Sequence, residues 1–268
     1  MLKVGKIEYL NTVPVYYGFI DGFLSSEGVE FVEDVPSELN RLLREGFLDI
    51  SVISSYEYIE NWDKYLLLPD LSISAKKRVM SVLFFSQVPI HQLHRKDVWI
   101  TRSSMTSREL LKYLLTDVYG VEPNFHYYSI KEGGLPKSPK AILSIGDDAL
   151  KTLRERRYPF VYDLAEEWFN LTGLPFVFAL WAVRRDSFRT KEKEVLDFYE
   201  RLIKSRNYGE KNYKKICSQF GEKVPISHIS CEKYLGSLNF RLGKEEEESL
   251  KAFSERIGKP FKICYLKT

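Results

Sequence analysis

Cysteine is scarce. Cys217, Cys231 and Cys264 are the three in 268 residues, an odd number whose spacings fit neither a C-x-x-C zinc or redox motif nor a disulfide framework, so reduced thiols are expected. A strong charge of one sign is lacking too: 40 Lys and Arg against 37 Asp and Glu leave a net charge of +3, too even for a basic nucleic-acid-binding surface. The short basic runs Lys76-Lys77-Arg78 and Arg184-Arg185 read as solvated faces. No stretch approaches the ~20 apolar residues of a membrane-spanning helix. The first residues, MLKVGKIEYLN, lack the charged and then apolar pattern of an export signal, so the expectation is a cytoplasmic protein with no membrane or nucleic-acid partner. G-x-S-x-G, P-loop and G-x-G-x-x-G motifs are missing, which removes the usual support for a serine hydrolase, a nucleotide triphosphatase or a Rossmann dehydrogenase. His91 and His94 form an H-x-x-H with no acidic or cysteine ligand nearby, a weak metal signal, and no metal site is expected.

What the chain does have is an apolar fraction of 44% beside 29% charged residues, enough to bury a core, and a length that suits two modest lobes. Leu2–Ile7, Phe31–Val35 and Asp49–Ser54 have strand character. Between the last two, Pro36 at a helix start, Leu39, Leu42 and Leu43 on one face and Gly46 as a left-handed stop predict a helix. A second alternation runs from a strand at Val98–Ile100 through a helix bearing Leu110, Leu111, Leu114 and Leu115 to a strand at Ala141–Ile145. The β-α-β rhythm predicts an α/β fold with mainly parallel sheets and a ligand site at the carboxyl ends of the strands. Two long apolar strands, Val79–Ser86 and Phe176–Val183, bracket the second alternation and read as crossovers. The expected division is a discontinuous first lobe of residues 1–85 plus 180–268, a second lobe of residues 86–179, and a cleft between them. From Lys191 onward the pattern is helical and charged.

Several candidate site residues fall at strand ends. Asn11 falls just after the first strand of the first lobe, and Ser54 and Ser55 at or just after the end of the third. In ITRSSMTSRELLKYLL, Thr106 and Glu109 have capping-box spacing, which places a helix start near Thr106 with Ser103, Ser104 and Ser107 around it. Hydroxyls and free N–H groups converging there suit a carboxylate or phosphate as well as a simple cap. In LSIGDDAL, Gly146 leads into a helix that Asp147 would cap. Asp147 and Asp148 are neighbours that face different ways, so they do not form a general acid/base pair.

Taken together, GKIEYLNTVPVYYG, DISVISSYEYIEN, PDLSISAKKRVMSVLFFSQVP, SSMTSRELLKYLL, ILSIGDDAL and YDLAEEWFNLTGLPFVFALWAVRRD resemble, in this order, the chorismate dehydratases of the futalosine route to menaquinone, the MqnA family. The resemblance covers most of the chain and extends weakly to KYLGSLNFRLG. It implies the two-lobed fold of type 2 periplasmic binding proteins and a cofactor-independent lyase. The implied reaction removes water from chorismate to give 3-[(1-carboxyvinyl)oxy]benzoate. It also implies that Asn11, of the YLN motif, and Ser81, in the interlobe segment, are the catalytic pair. The substrate carboxylates would then meet Ser54 and Ser55 from one lobe and Ser103, Ser104, Thr106 and Ser107 from the other, with Gly146 and Asp147 lining the cleft. Serine alone is too weak a base, so a carboxylate of the substrate itself is a candidate proton acceptor. The sequence departs from the family at Met105, where Arg is common, and Arg102 either supplies that charge or faces solvent.

Two other readings stay open on sequence. The sister family that makes 1,4-dihydroxy-6-naphthoate shares the fold and uses a histidine base, for which His126 is the second-lobe histidine outside the H-x-x-H. A noncatalytic solute-binding protein is also compatible with the fold.

Overall fold

The computed structural model describes residues 1–223 and 230–267; His228 lies outside them. Among these residues the strands form two five-stranded sheets. The first runs in the order β2 (Val29–Asp34), β1 (Leu2–Ile7), β3 (Ile50–Ser54), β10 (Phe176–Arg184), β4 (Tyr65–Ala75). The second runs β7 (Asn124–Tyr128), β6 (Asp97–Thr101), β8 (Ala141–Ile145), β5 (Val82–Ser86), β9 (Phe160–Asp163). Within the first, β1 is parallel to β2 and β3 while β10 is antiparallel to β3 and β4. The second repeats the scheme, with β5 antiparallel to β8 and β9. The sheets are therefore mixed rather than mainly parallel, because each crossover strand inserts antiparallel into the sheet it enters.

That insertion also places the lobe boundaries. β5 lies in the second sheet and the whole of β10 in the first, so the expected divisions at 85/86 and 179/180 fall inside strands. The chain changes sheets between Ala75 and Val82, and again between Asp163 and Phe176. Both inserted strands are almost wholly apolar because helices and neighbouring strands cover both of their faces. Residues 79–81, expected to extend β5, are instead a bend: Met80 takes a left-handed φ of 61°. The Asp163 carboxylate accepts the backbone N–H groups of Val79 and Met80 at 3.2 and 2.7 Å, and those of Ala165 and Glu166 at 3.0 and 3.4 Å. One buried side chain thus fixes the first crossover and caps a helix; burial pushes its carboxyl pKa up against those four donors.

The helices are α1 (Val13–Ile20), α2 (Pro36–Glu45), α3 (Ser55–Asn61), α4 (Met105–Tyr113), the single-turn α5 (Ile130–Gly133), α6 (Gly146–Glu155), α7 (Leu164–Thr172), α8 (Arg185–Thr190), α9 (Glu192–Glu210), α10 (Tyr213–Phe220), α11 (Cys231–Gly236) and α12 (Lys244–Arg256). α2 is as the sequence predicts: Pro36 opens it, Leu39 and Leu43 are buried, and Gly46 closes it at φ 87°. The C-terminal helices pack against both lobes. Trp168 of α7 donates its indole N–H to Ser249 of α12 at 3.0 Å, and Asn239, just before α12, bridges to Ser74 of β4.

One expectation is overturned in this region. Cys217 and Cys231 form a disulfide that joins α10 to α11, with Cα atoms 5.6 Å apart, within the usual range for the bond; Cys264 is free. A separation of 14 residues matches no motif, and the pairing comes from the packing of α10 against α11, which sequence spacing does not encode.

Candidate active site

A small cavity of about 50 Å³ lies between the two sheets. The first lobe supplies Ile7, Tyr9, Asn11, Pro36, Ser54, Ile73, Phe178 and Ala179, and the second supplies Val82, Ser104, Ser107, Ile145 and Gly146. A volume of this size holds a water molecule or two, so the lobes are closed on one another. Direct bonds hold them: the Ser37 N–H donates to the Ser103 carbonyl at 3.2 Å and the Tyr56 N–H to the Thr106 hydroxyl at 2.9 Å.

Asn11 sits in the 3-10 turn Leu10–Thr12 that follows β1. The turn is pinned by Thr12, whose hydroxyl donates to the carbonyls of Ile7 and Tyr9 at 2.7 and 2.9 Å. The side-chain oxygen of Asn11 is buried and has no hydrogen-bond partner among the described residues. A buried acceptor left unsatisfied costs about 1–3 kcal/mol, and here it belongs to a residue that lines the cavity between the lobes.

Ser54 also reaches the cavity, but its hydroxyl accepts from Asn40 Nδ2 at 2.9 Å and from the Glu57 N–H at 3.2 Å, capping α3. Ser55 is buried outside the cavity and donates to the Val177 carbonyl at 2.7 Å. On the other wall, Ser104 rather than Thr106 caps α4. Its hydroxyl accepts from the Ser107 N–H at 3.3 Å and donates to the Ser107 hydroxyl at 2.9 Å. The expected capping box at Thr106 and Glu109 is absent because Thr106 is spent on the other lobe and Glu109 pairs with Arg108 and Lys112. Ser103 joins through its backbone to α2 and through its side chain to Tyr9.

Gly146 begins α6 at a left-handed φ of 58°. A Cβ there would stand 2.9 Å from the Tyr9 ring, so the tyrosine of one lobe lies flat against the glycine of the other. The N-cap position of α6 is Ile145 and has no side-chain cap; Asp147 falls in the first turn instead of capping. Burial, followed by the nearby charges of Asp148 and Asp147, pushes the Tyr9 phenol well above its ordinary pKa, so it remains a neutral hydroxyl.

Ser81 is fully buried at the end of the Met80 bend, one residue before the cavity-lining Val82. Its carbonyl accepts the Gly146 N–H at 2.7 Å, and its hydroxyl meets Tyr234 Oη at 2.8 Å. Of the residues singled out in the sequence, the structure therefore brings Asn11, Ser54, Ser104, Ser107 and Gly146 to the cavity wall. Ser55, Ser81, Ser103, Thr106 and Asp147 stand behind or beside it. Arg102 is elsewhere: with Met105, Arg108, Asp34, Ser37 and Glu38 it lines an outer groove of about 510 Å³ at the mouth of the cleft, and its guanidinium lies 5.9 Å from the Tyr127 ring. His126 is exposed on edge strand β7, 2.8 Å from the Asp97 carboxylate and stacked on Trp99, and does not line the cavity. Among the described residues, no three His, Cys, Asp or Glu side chains gather as metal ligands, and no helix is long and apolar enough to cross a membrane.

The match to known proteins is extensive. A family model described as menaquinone biosynthesis matches residues 2–259. The chain belongs to this menaquinone-biosynthesis family. A chorismate dehydratase of Thermus thermophilus is 33% identical across 96% of both chains. One of Campylobacter jejuni is 33% identical over 79% of this chain and 80% of its own. Among solved structures, a Candida albicans protein described as having the generic periplasmic binding protein fold aligns with a TM-score of 0.60 at 14% identity, covering 100% of this chain and 98% of the other. At that identity the likeness speaks for the fold alone, and it is the two-lobed architecture seen here.

Two residues of this member of the menaquinone-biosynthesis family escaped sequence reasoning. Tyr9 stands in the YLN motif beside Asn11, and that adjacency was the available signal. Tyr234 carries no local signal, since it lies 153 residues from the serine it meets.

Proposed function

We propose that the protein is a chorismate dehydratase that forms 3-[(1-carboxyvinyl)oxy]benzoate on the futalosine route to menaquinone, with Asn11 and Ser81 as its catalytic residues. The observation that carries this reading is the buried Asn11 oxygen, without a hydrogen-bond partner among the described residues, on a residue that lines the interlobe cavity in a chain similar to chorismate dehydratases over nearly its whole length. Chorismate offers the complement: a ring hydroxyl for the Asn11 acceptor, and a carboxylate for the Ser107 hydroxyl, which Ser104 supports with its own proton, at the start of α4, where the helix dipole favours negative charge.

The elimination breaks two bonds on adjacent ring carbons. The C–H bond on the carbon bearing the enolpyruvyl ether gives up its proton, its electron pair becomes the new ring double bond, and the neighbouring C–O bond releases hydroxide, which leaves as water. The ring becomes aromatic, so the protein's task is to hold one conformer and assist departure of the hydroxyl. Asn11 fixes that hydroxyl, Ser81 supplies a hydrogen bond, and the enolpyruvyl carboxylate takes the ring proton and passes it to the departing hydroxide to give water. Closure of the lobes excludes water from this step.

The competing histidine-dependent reaction on this fold finds no support in the placement of His126, which is exposed and paired with Asp97. The test is Asn11→Ala assayed on chorismate. Loss of an oriented hydrogen bond of this kind costs about 10²–10³ in kcat, and that loss is expected with an unchanged circular-dichroism spectrum. A folded Asn11→Ala protein with wild-type turnover would remove Asn11 from the mechanism.

A further inference from the structure

Tyr234, on the C-terminal helix α11, is fully buried and places its hydroxyl 2.8 Å from Ser81 Oγ. Two hydroxyls face each other here, and chemistry orders them. A phenol is a much stronger acid than an aliphatic alcohol, so Tyr234 donates and Ser81 accepts. Burial raises the Tyr234 pKa further, with Asp147 and Asp163 adding to it, so the phenol keeps its proton at any working pH. Among the described residues Ser81 Oγ has one other hydrogen bond, a long one of 3.4 Å that it donates to the Val79 carbonyl. With one lone pair taken by Tyr234, the Ser81 proton is directed away from the phenol.

The position of this contact is fixed from three sides. Met80 and Val79 are clamped by Asp163, the Ser81 carbonyl is held by Gly146, and α11 starts at a Ser230 cap and is tied to α10 through Cys231. Leaving a polar group in so buried a place without purpose would be costly, whereas phenylalanine would fill the same volume.

We propose that Tyr234 is a positioning residue that locks Ser81 as a hydrogen-bond donor toward the substrate and bars it from acting as the base. The inference rests on the role given to Ser81 above. It assigns the proton-accepting step to a group other than Ser81, consistent with a carboxylate of the substrate serving that purpose.

The experiment is a double-mutant cycle on the full-length protein with chorismate as substrate: Tyr234→Phe, Ser81→Ala and the two combined, each with kcat, KM and melting temperature. Tyr234→Phe is expected to lower kcat about tenfold with KM within about twofold, and to have no further effect once Ser81 is alanine. Replacing Tyr234 by 3,5-difluorotyrosine keeps the shape and the hydroxyl, and should restore kcat relative to phenylalanine. A Tyr234→Phe protein with wild-type kcat beside an impaired Ser81→Ala overturns the positioning role and leaves the Ser81 assignment standing. A kcat loss that adds in full to that of Ser81→Ala, or that difluorotyrosine does not rescue, makes Tyr234 structural and also overturns it. If Ser81→Ala itself turns over normally, the Ser81 assignment falls and takes this inference with it.

Discussion

At the scale of single residues, Gly146 carries two demands that no other residue meets together. Its φ of 58° is left-handed, which costs a residue with a Cβ about 1–2 kcal/mol, and the Cβ itself would press on the Tyr9 ring at 2.9 Å. Gly146→Ala is therefore expected to destabilise the protein by about 1–3 kcal/mol, visible in thermal denaturation, and to lower kcat/KM by forcing Tyr9 off the opposite wall. A variant with unchanged melting temperature and activity would show that the lobes do not close through this contact. Sequence reading reached Gly146 because a strand, a glycine and a helix follow one another locally. It reached Asn11 from its place just after a strand and gave it a role only through family resemblance, since nothing in the local pattern says that its amide oxygen will be buried without a partner among the described residues.

At the scale of elements, α2 shows how far local signals go and α4 where they stop. Pro36, the leucine spacing and Gly46 lie within one helix, and each acts on its own backbone. In TRSSMTS five hydroxyl side chains compete for one cap; Ser104 takes it because the Thr106 hydroxyl is drawn to the Tyr56 N–H of the opposite lobe. The same limit hid the Cys217–Cys231 bond, which depends on how α10 meets α11. A loop of this length gains about 3 kcal/mol from cross-linking of the unfolded chain. Reduction, or Cys217→Ser, should lower the melting temperature by several degrees, measured by calorimetry with and without reductant. Equal melting temperatures in both states would mean that the bond contributes nothing to the fold.

At the scale of the whole molecule, the two-lobed plan was legible because two β-α-β alternations are separated by apolar strands, yet the lobe boundaries were not. β5 and β10 look alike in sequence, being apolar on both faces, and only long-range pairing shows which sheet each one joins. The closed lobes leave about 50 Å³, so on the proposed reaction chorismate would bind with the lobes parted and react as they close. The outer groove carries Arg102 and Arg108 together with Asp34 and Glu38, so its charges are balanced rather than a positive funnel. The measurement that tests this account most directly is the mass and ultraviolet spectrum of what the purified, metal-stripped protein makes from chorismate. The account predicts a product lighter by one water with the absorbance of a substituted benzoate; chorismate recovered unchanged would contradict it.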